Sequence, residues 1–178
     1  MKAGKKPLDP VVKAGIGVLI GAFCLIGFGM FLSRPDRTIP PYSIGAQEGP
    51  VVAVHLPPWT SDPEIESLIR RFGSVGSSTR EFGPMQIRPT TPDNPEGRYQ
   101  QLLLLIFSDH KWAEQDKLHR YLEEKAGSGT DPFLSEYEQA VRGGYRLDDQ
   151  GQAGWLGGYT GVAGTKAPYT VQWLFKEP

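Results

Sequence analysis

The stretch Leu102-Leu103-Leu104-Leu105-Ile106-Phe107 is apolar at every position and determines how we expect the chain to fold. A strand with one face in water alternates apolar and polar residues, whereas a strand covered on both faces has no need to. The run therefore predicts a strand over residues 99–107 that is buried on both faces and central in its sheet.

Two elements are predicted before this strand with clear end signals. Residues 51–56 form a β-branched apolar run that stops at two prolines, which is typical of a short strand. Ser61 and Glu64 have the spacing of a capping box, and apolar residues at helical spacing follow, so a helix is predicted over residues 62–72 and ends at Gly73. A weaker strand is predicted over residues 81–88.

Further elements are predicted after the central strand. Residues 108–125 are helical by propensity, and Asp131 followed by Pro132 begins a short helix that ends at Gly143-Gly144. Six glycines between residues 148 and 167 predict a loop or an irregular hairpin. Residues 169–175 alternate and predict a closing strand whose aromatic side faces the core.

The order strand, helix, strand, strand, helix predicts an α+β fold. We expect a ferredoxin-like, split βαβ domain over residues 51–178, with an inserted third helix and a C-terminal β segment. The sheet face opposite the two main helices then needs a cover, which the inserted helix, the C-terminal segment or another protein could supply.

Three segments of the sequence resemble motifs of the RNA-recognition-motif family. Val52-Ala53-Val54-His55-Leu56-Pro57 is similar to the family's first-strand motif, Phe72-Gly73-Ser74-Val75 to its helix-to-strand phrase, and Leu104-Leu105-Ile106-Phe107-Ser108-Asp109 to the end of its third-strand motif. The resemblance covers residues 51–125 and implies the ferredoxin-like layout.

The residues that bind RNA in that family are missing. The family stacks bases on aromatic side chains of its central strands, whereas the matching positions here are Val52, Leu102 and Leu104. From Val51 onward the chain also has 13 Lys or Arg against 17 Asp or Glu, a net charge of −4. An acidic domain is a poor partner for phosphates, so we expect no nucleic-acid binding.

The N-terminal region predicts a membrane anchor. Residues 14–32 are nineteen consecutive uncharged, mostly apolar residues, which make roughly 28 Å of helix, close to the hydrocarbon thickness of a bilayer. Four lysines precede the segment, whereas two arginines and an aspartate follow it. The positive-inside rule then places residues 1–13 in the cytoplasm, residues 33–50 as a spacer, and the domain in the periplasm, with the inner membrane as location.

Other interpretations of this segment remain. A cleaved signal peptide would use Gly27-Phe28-Gly29, although Met30, Phe31 and Leu32 extend the apolar run past the cut. A eukaryotic signal anchor with a lumenal domain also fits. A lipoprotein signal is excluded, because the residue before Cys24 is Phe23 and not a small residue.

Small residues recur along one side of the predicted anchor. Gly17, Gly21 and Cys24 lie three and four residues apart, and the first two form a GxxxG pair that lets two helices approach closely. The alternative is that glycine is simply common in membrane helices. Cys24 is the only cysteine, so no internal disulfide forms and we expect no thiol nucleophile.

The catalytic candidates are few. The histidines are His55, His110 and His119, and no HxH or HxxxH spacing occurs. In a ferredoxin-like sheet the first two need not converge, and Asp109 has the ordinary role of a helix cap. We therefore predict no catalytic site, no metal and no cofactor.

These features favour an interaction protein. We expect a single-pass membrane-anchored accessory, scaffold or adaptor subunit of a cell-envelope complex, which contacts membrane lipid and another membrane or periplasmic protein. Trp155, Leu156 and Tyr159, displayed on a glycine-rich loop, are the predicted partner-binding residues. The alternative is a small-ligand-binding or hydrolytic extracytoplasmic domain with a cleft near His55 and His110.

Overall fold

The computed structural model describes residues 10–32, 39–89, 97–127, 131–157 and 171–178. The chain divides into two units, Met1–Arg37 and Thr38–Pro178. The first contains helix α1, Pro10–Leu32, whose side chains are described from residue 16 to residue 30. Among the described residues, no helix has the length and apolar character needed to cross a membrane.

The second unit is built on a six-stranded sheet whose spatial order follows the order of the chain. β2 and β3 are parallel, and every other neighbouring pair is antiparallel. The strands are β1 Ser43–Glu48, β2 Val51–His55, β3 Leu102–Phe107, β4 Val141–Asp148, β5 Gly151–Leu156 and β6 Gln172–Glu177.

Helices cover both faces of this sheet. They are α2 Asp62–Ser78, α3 Gln115–Ala126 and α4 Pro132–Ala140, with short 3-10 turns at Gly83–Met85 and His110–Ala113. The apolar side of α2 packs in one core cluster, and the apolar sides of α3 and α4 pack in a second cluster on the other face. The domain therefore covers its sheet with its own helices.

β3 confirms the prediction of a central strand buried on both faces. Leu104 and Ile106 lie in the cluster under α2, whereas Leu105 and Phe107 lie in the cluster under α3 and α4. All four side chains are at most 1% exposed. Because neither face meets water, the strand needs no polar position.

Helix α2 begins as predicted and continues further. The backbone N–H of Ser61 donates to the Glu64 carboxylate at 2.8 Å, which completes the capping box. The predicted end at Gly73 is wrong, because the helix continues to Ser78. Gly73 and Gly76 leave no room for a side chain. A Cβ atom at Gly73 would lie 2.6 Å from the Phe175 ring, and a Cβ atom at Gly76 would lie 1.8 Å from the Tyr145 hydroxyl.

The α+β class is confirmed, but the strand predicted over residues 81–88 is wrong. Pro84 lies in the 3-10 turn, and Gln86 ends the turn in the left-handed region at φ +64°. Within the described part of the chain, Glu81 is the residue of this segment that makes a bridge, to Arg98. The observed sheet order and the helices on both faces also differ from the ferredoxin-like layout, in which we expected the main helices to share one face.

The predicted spacer over residues 33–50 is wrong in its second part. Residues 43–48 are strand β1, which pairs antiparallel with β2. Its small residues fit a close contact, since a Cβ atom at Gly45 would lie 2.4 Å from the carbonyl oxygen of Ala113. Residues 33–38 lie outside the described part of the chain.

The glycine-rich region forms strands. Residues 148–167 were expected to form a loop or an irregular hairpin; of these, residues 151–156 are strand β5, which pairs with β4 through a turn at residues 149–150. Residues 158–167 lie outside the described part of the chain. Gly143 and Gly144 do not end a helix but lie inside β4, while α4 ends at Ala140.

The last strand is confirmed as β6, an edge strand beside β5 that begins three residues later than predicted. Phe175 packs against the cluster under α2. Trp173 does not face the core as expected, since it is 49% exposed.

Gly144 gives a direct test of this packing. In Gly144→Ala the new methyl would lie 2.4 Å from the Trp155 ring and 2.5 Å from the backbone oxygen of Leu104. We expect the free energy of unfolding to fall by ~1–3 kcal/mol in urea titrations. The control is Gly127→Ala, whose nearest atoms lie at 3.5 Å. Equal stability of the two variants would contradict the observed packing.

Candidate functional site

The parallel pair β2 and β3 brings two histidines together. His55 is the last residue of β2 and is in register with Phe107, the last residue of β3. The residues after β3 therefore lie beside His55, and the rings of His55 and His110 stack with centroids 5.2 Å apart and planes inclined by 29°. The expectation that these histidines need not converge is wrong, because it assumed a different arrangement of strand ends.

The backbone around the pair is fixed on both sides. The N–H of Leu56 donates to the carbonyl oxygen of Phe107 at 2.8 Å, which extends the parallel pairing past His55. Asp109 accepts the backbone N–H of Lys111 at 3.1 Å and caps the 3-10 turn that carries His110. The capping role predicted for Asp109 is confirmed.

Burial and charge keep His55 neutral at neutral pH. Burial is the main cause that lowers the pKa of His55, and repulsion from His110 adds to it. Asp109 and a hydrogen bond with the backbone of Ser108 act in the opposite direction. The pKa of Asp109 is lowered, first by the hydrogen bond from the backbone of Lys111, so this carboxylate stays charged.

An arginine links three elements next to the pair. Arg142 on β4 donates to the hydroxyl of Ser108 at 2.9 Å and to the carboxylate of Asp62 at 2.5 Å. These bonds join β4 to the end of β3 and to the start of α2. No spacing in the sequence indicated this bridge, because its members lie far apart along the chain.

The side chains of this group can exchange protons and form hydrogen bonds. The Ser108 hydroxyl accepts a hydrogen bond from Arg142, and His55 interacts with the backbone of Ser108. Among the described residues, no group of three or more His, Cys, Asp or Glu is placed to hold a metal ion.

His119 lies apart from the pair. Its Nδ1 is 3.1 Å from Glu48 and its Nε2 is 3.3 Å from Glu123. Glu48 is the last residue of β1, whereas His55 is in register with the first residue of that strand. The hydrogen bond with Glu48 is the main cause that raises the pKa of His119.

The structure describes two of the three predicted partner-binding residues. Trp155 lies in β5 and is 2% exposed, so its prediction as a displayed partner-binding residue is wrong. Leu156 is half-buried and packs against the cluster under α2. Tyr159 lies outside the described residues.

The sequence reasoning missed a different tryptophan. Trp59 is 83% exposed in the loop between β2 and α2. The signal was present in the sequence, since Pro57 and Pro58 precede it and fix the backbone of a loop. Exposed tryptophans on fixed loops are frequent binding residues.

The small residues of α1 leave open space beside the helix. A Cβ atom at Gly17 or Gly21 would meet no atom within 4 Å, and Cys24 is exposed. The same holds for a Cβ atom at Gly27 or Gly29, so the helix-packing role of Gly17, Gly21 and Cys24 stays a prediction.

A surface cleft of about 600 Å³ runs along β1. Gln47 crosses it: the side-chain oxygen accepts the N–H of Arg88 at 3.0 Å, and the side-chain nitrogen donates to the Tyr99 hydroxyl at 2.7 Å. These bonds hold β1 to the segment after α2, so the Gln47 amide that crosses the cleft has a structural role.

Comparison of the chain with protein families, with curated proteins and with solved structures gives no match.

The two types of histidine should titrate apart. We expect NMR titration of the ring protons to give His55 a pKa below the ordinary value of about 6.5 and His119 a pKa above it. His110→Ala should raise the pKa of His55 by removing its repulsion and leave His119 unchanged. A common pKa near 6.5 for both residues would contradict the geometry.

The same shifts act on stability with opposite signs. Because the pKa of His55 is lower in the folded state, its contribution is present above about 6.5 and is lost as the pH falls. Because the pKa of His119 is raised, its contribution is complete below about 6.5 and is lost as the pH rises through the folded-state value.

Proposed function

We propose that this chain is a single-pass membrane-anchored interaction subunit, an accessory, scaffold or adaptor component of a cell-envelope complex, and not an enzyme. The observation that carries the proposal is the apolar surface of α1. Nine large apolar side chains of this helix are exposed: Ile16, Val18, Leu19, Ile20, Phe23, Leu25, Ile26, Phe28 and Met30.

Such a surface needs an apolar environment. Soluble monomers rarely expose contiguous apolar patches of more than a few hundred Å², and between residues 16 and 30, where its side chains are described, α1 is apolar on all sides. A bilayer would supply that environment. The support for a span comes from the sequence, in which the uncharged run over residues 14–32 is longer than the part of α1 with described side chains. The lysines before the helix favour an N-terminus in the cytoplasm and a domain in the periplasm of the inner membrane.

Within a bilayer, the small-residue side of α1 suits a second helix. Apolar side chains gain little from each other in lipid, so helices associate where small residues allow close packing. Gly17, Gly21 and Cys24 lie on one side of the helix, because they are spaced four and three residues apart. We propose that the helix of another membrane protein packs along this side of α1. The complex as a whole would contain that membrane protein or a periplasmic protein as the partner of this chain.

The soluble domain does not need a partner to complete its core. One face of the sheet is covered by α2, and the other face is covered by α3 and α4. Because the domain closes its own core, we infer that assembly begins in the membrane and that the domain acts as the part presented outside it.

A second candidate function is recognition of a small polar ligand by His55 and His110. The paired imidazoles favour it, since they lie at the carboxyl ends of parallel strands, where α/β proteins bind ligands. A ligand at this place would perturb the ring signals of both histidines together and leave His119 unchanged.

The interaction proposal is tested by affinity purification of the full-length chain from detergent extracts with mass spectrometry. We expect Gly21→Leu to reduce partner recovery by about tenfold, equivalent to about 1.4 kcal/mol, because the side chain fills the space the partner helix needs. The control is Ala22→Leu, which makes a similar change on another side of α1. Equal recovery by both variants, or no retained partner with the unchanged chain, would contradict the proposal.

A further inference from the structure

Large apolar side chains are rarely exposed in the soluble domain. Among the described residues from 39 onward, the exposed ones are Trp59, at 83%, and Trp173, at 49%. Both are tryptophans, the residue type that concentrates at membrane–water interfaces because its ring is apolar and its N–H is polar.

Both tryptophans lie at one end of the sheet. β2 ends at His55 just before the Trp59 loop, and β6 begins at Gln172, next to Trp173. The pairing of neighbouring strands shows that these ends coincide. His55 lies beside Phe107, Phe107 lies beside Val141 at the start of β4, and Leu156 at the end of β5 lies beside Gln172.

The chain from α1 enters the domain at this same end. Ser43, the first residue of β1, pairs with His55, so we call this the tether end of the sheet. The residues between Leu32 and Ser43 reach at most about 35 Å when fully extended. If α1 lies in a bilayer, this chain length limits how far the tether end can lie from the bilayer surface.

The exposed tryptophans are held in place. Trp59 lies in a turn closed by a hydrogen bond from the N–H of Thr60 to the carbonyl oxygen of Pro57 at 3.0 Å, and Thr60 itself is buried. The ring centroids of Trp173 and Trp155 are 5.9 Å apart. The Lys176 ammonium lies over the Trp173 ring, 3.7 Å from its centroid. β2 and β6 are four strand spacings apart, about 19 Å, which separates two points of contact.

The charges at this end compensate each other locally. Arg142 pairs with Asp62, and Lys111 pairs with Asp109 at 3.2 Å. An excess of positive charge, which would attract anionic lipids, is not apparent among these groups. The chemistry therefore favours aromatic contact with the headgroup region over electrostatic binding.

We propose that the tether end of the domain rests on the bilayer surface, with Trp59 and Trp173 in the lipid headgroup region. The inference rests on the proposed membrane anchoring and adds a second contact with lipid. It assigns a role to an exposed tryptophan that the packing of the domain does not explain.

The test places the full-length chain in phosphatidylcholine vesicles whose acyl chains are brominated near the headgroup, because bromine quenches nearby tryptophans. We expect brominated lipid to reduce the emission of the unchanged chain, and this reduction to shrink in Trp59→Phe and again in Trp59→Phe/Trp173→Phe. The matched control is Trp155→Phe, which removes a buried tryptophan. Addition of anionic phosphatidylglycerol should change the reduction little.

Two results would overturn the inference in distinguishable ways. If the chain floats with the vesicles but Trp59→Phe is quenched as much as the unchanged chain, anchoring stands and Trp59 does not contact lipid; a protein partner is then the better assignment for it. If the chain does not float with vesicles at all, the anchoring proposal fails and the inference fails with it.

Discussion

The burial of β3 on both faces is the constraint on which the rest of the domain depends. Leu104 and Ile106 need a cover on one side, and Leu105 and Phe107 need a cover on the other. The parallel pairing of β2 with β3 requires a crossover connection, and α2 within it covers the first side. The segment after β3 then supplies α3 and α4 for the second side, so the domain has three layers.

Parts of this arrangement follow from local signals in the sequence. The unbroken apolar run predicted β3, the capping box predicted the start of α2, and Asp131 with Pro132 predicted α4. The glycine-rich strands could not be predicted this way, because glycine in a strand is explained only by its neighbours in space. Gly144 makes room for the Trp155 ring, a contact with the neighbouring strand that no spacing along the chain reveals.

The candidate site follows the same logic. His55 and His110 were recognised as candidates, but their contact depends on strand pairing and not on sequence spacing. Trp155 was assigned to a surface loop because it lies among glycines, and those glycines instead let it be buried. Trp59 carried a sequence signal in the preceding prolines. The domain closes its own core, while α1, Trp59 and Trp173 carry the large apolar side chains that are exposed among the described residues.

We propose that α1 anchors the chain and that the domain lies on the far side of the membrane from the N-terminus. The most direct measurement is protease treatment of intact spheroplasts that express the full-length chain. An alkaline wash of the membranes first shows whether the chain is integrated in them. The account predicts that the chain stays with the membranes and that external protease degrades the domain while residues 1–13 are protected. Release of the chain by the alkaline wash, or protection of the domain until the cells are lysed, would contradict it.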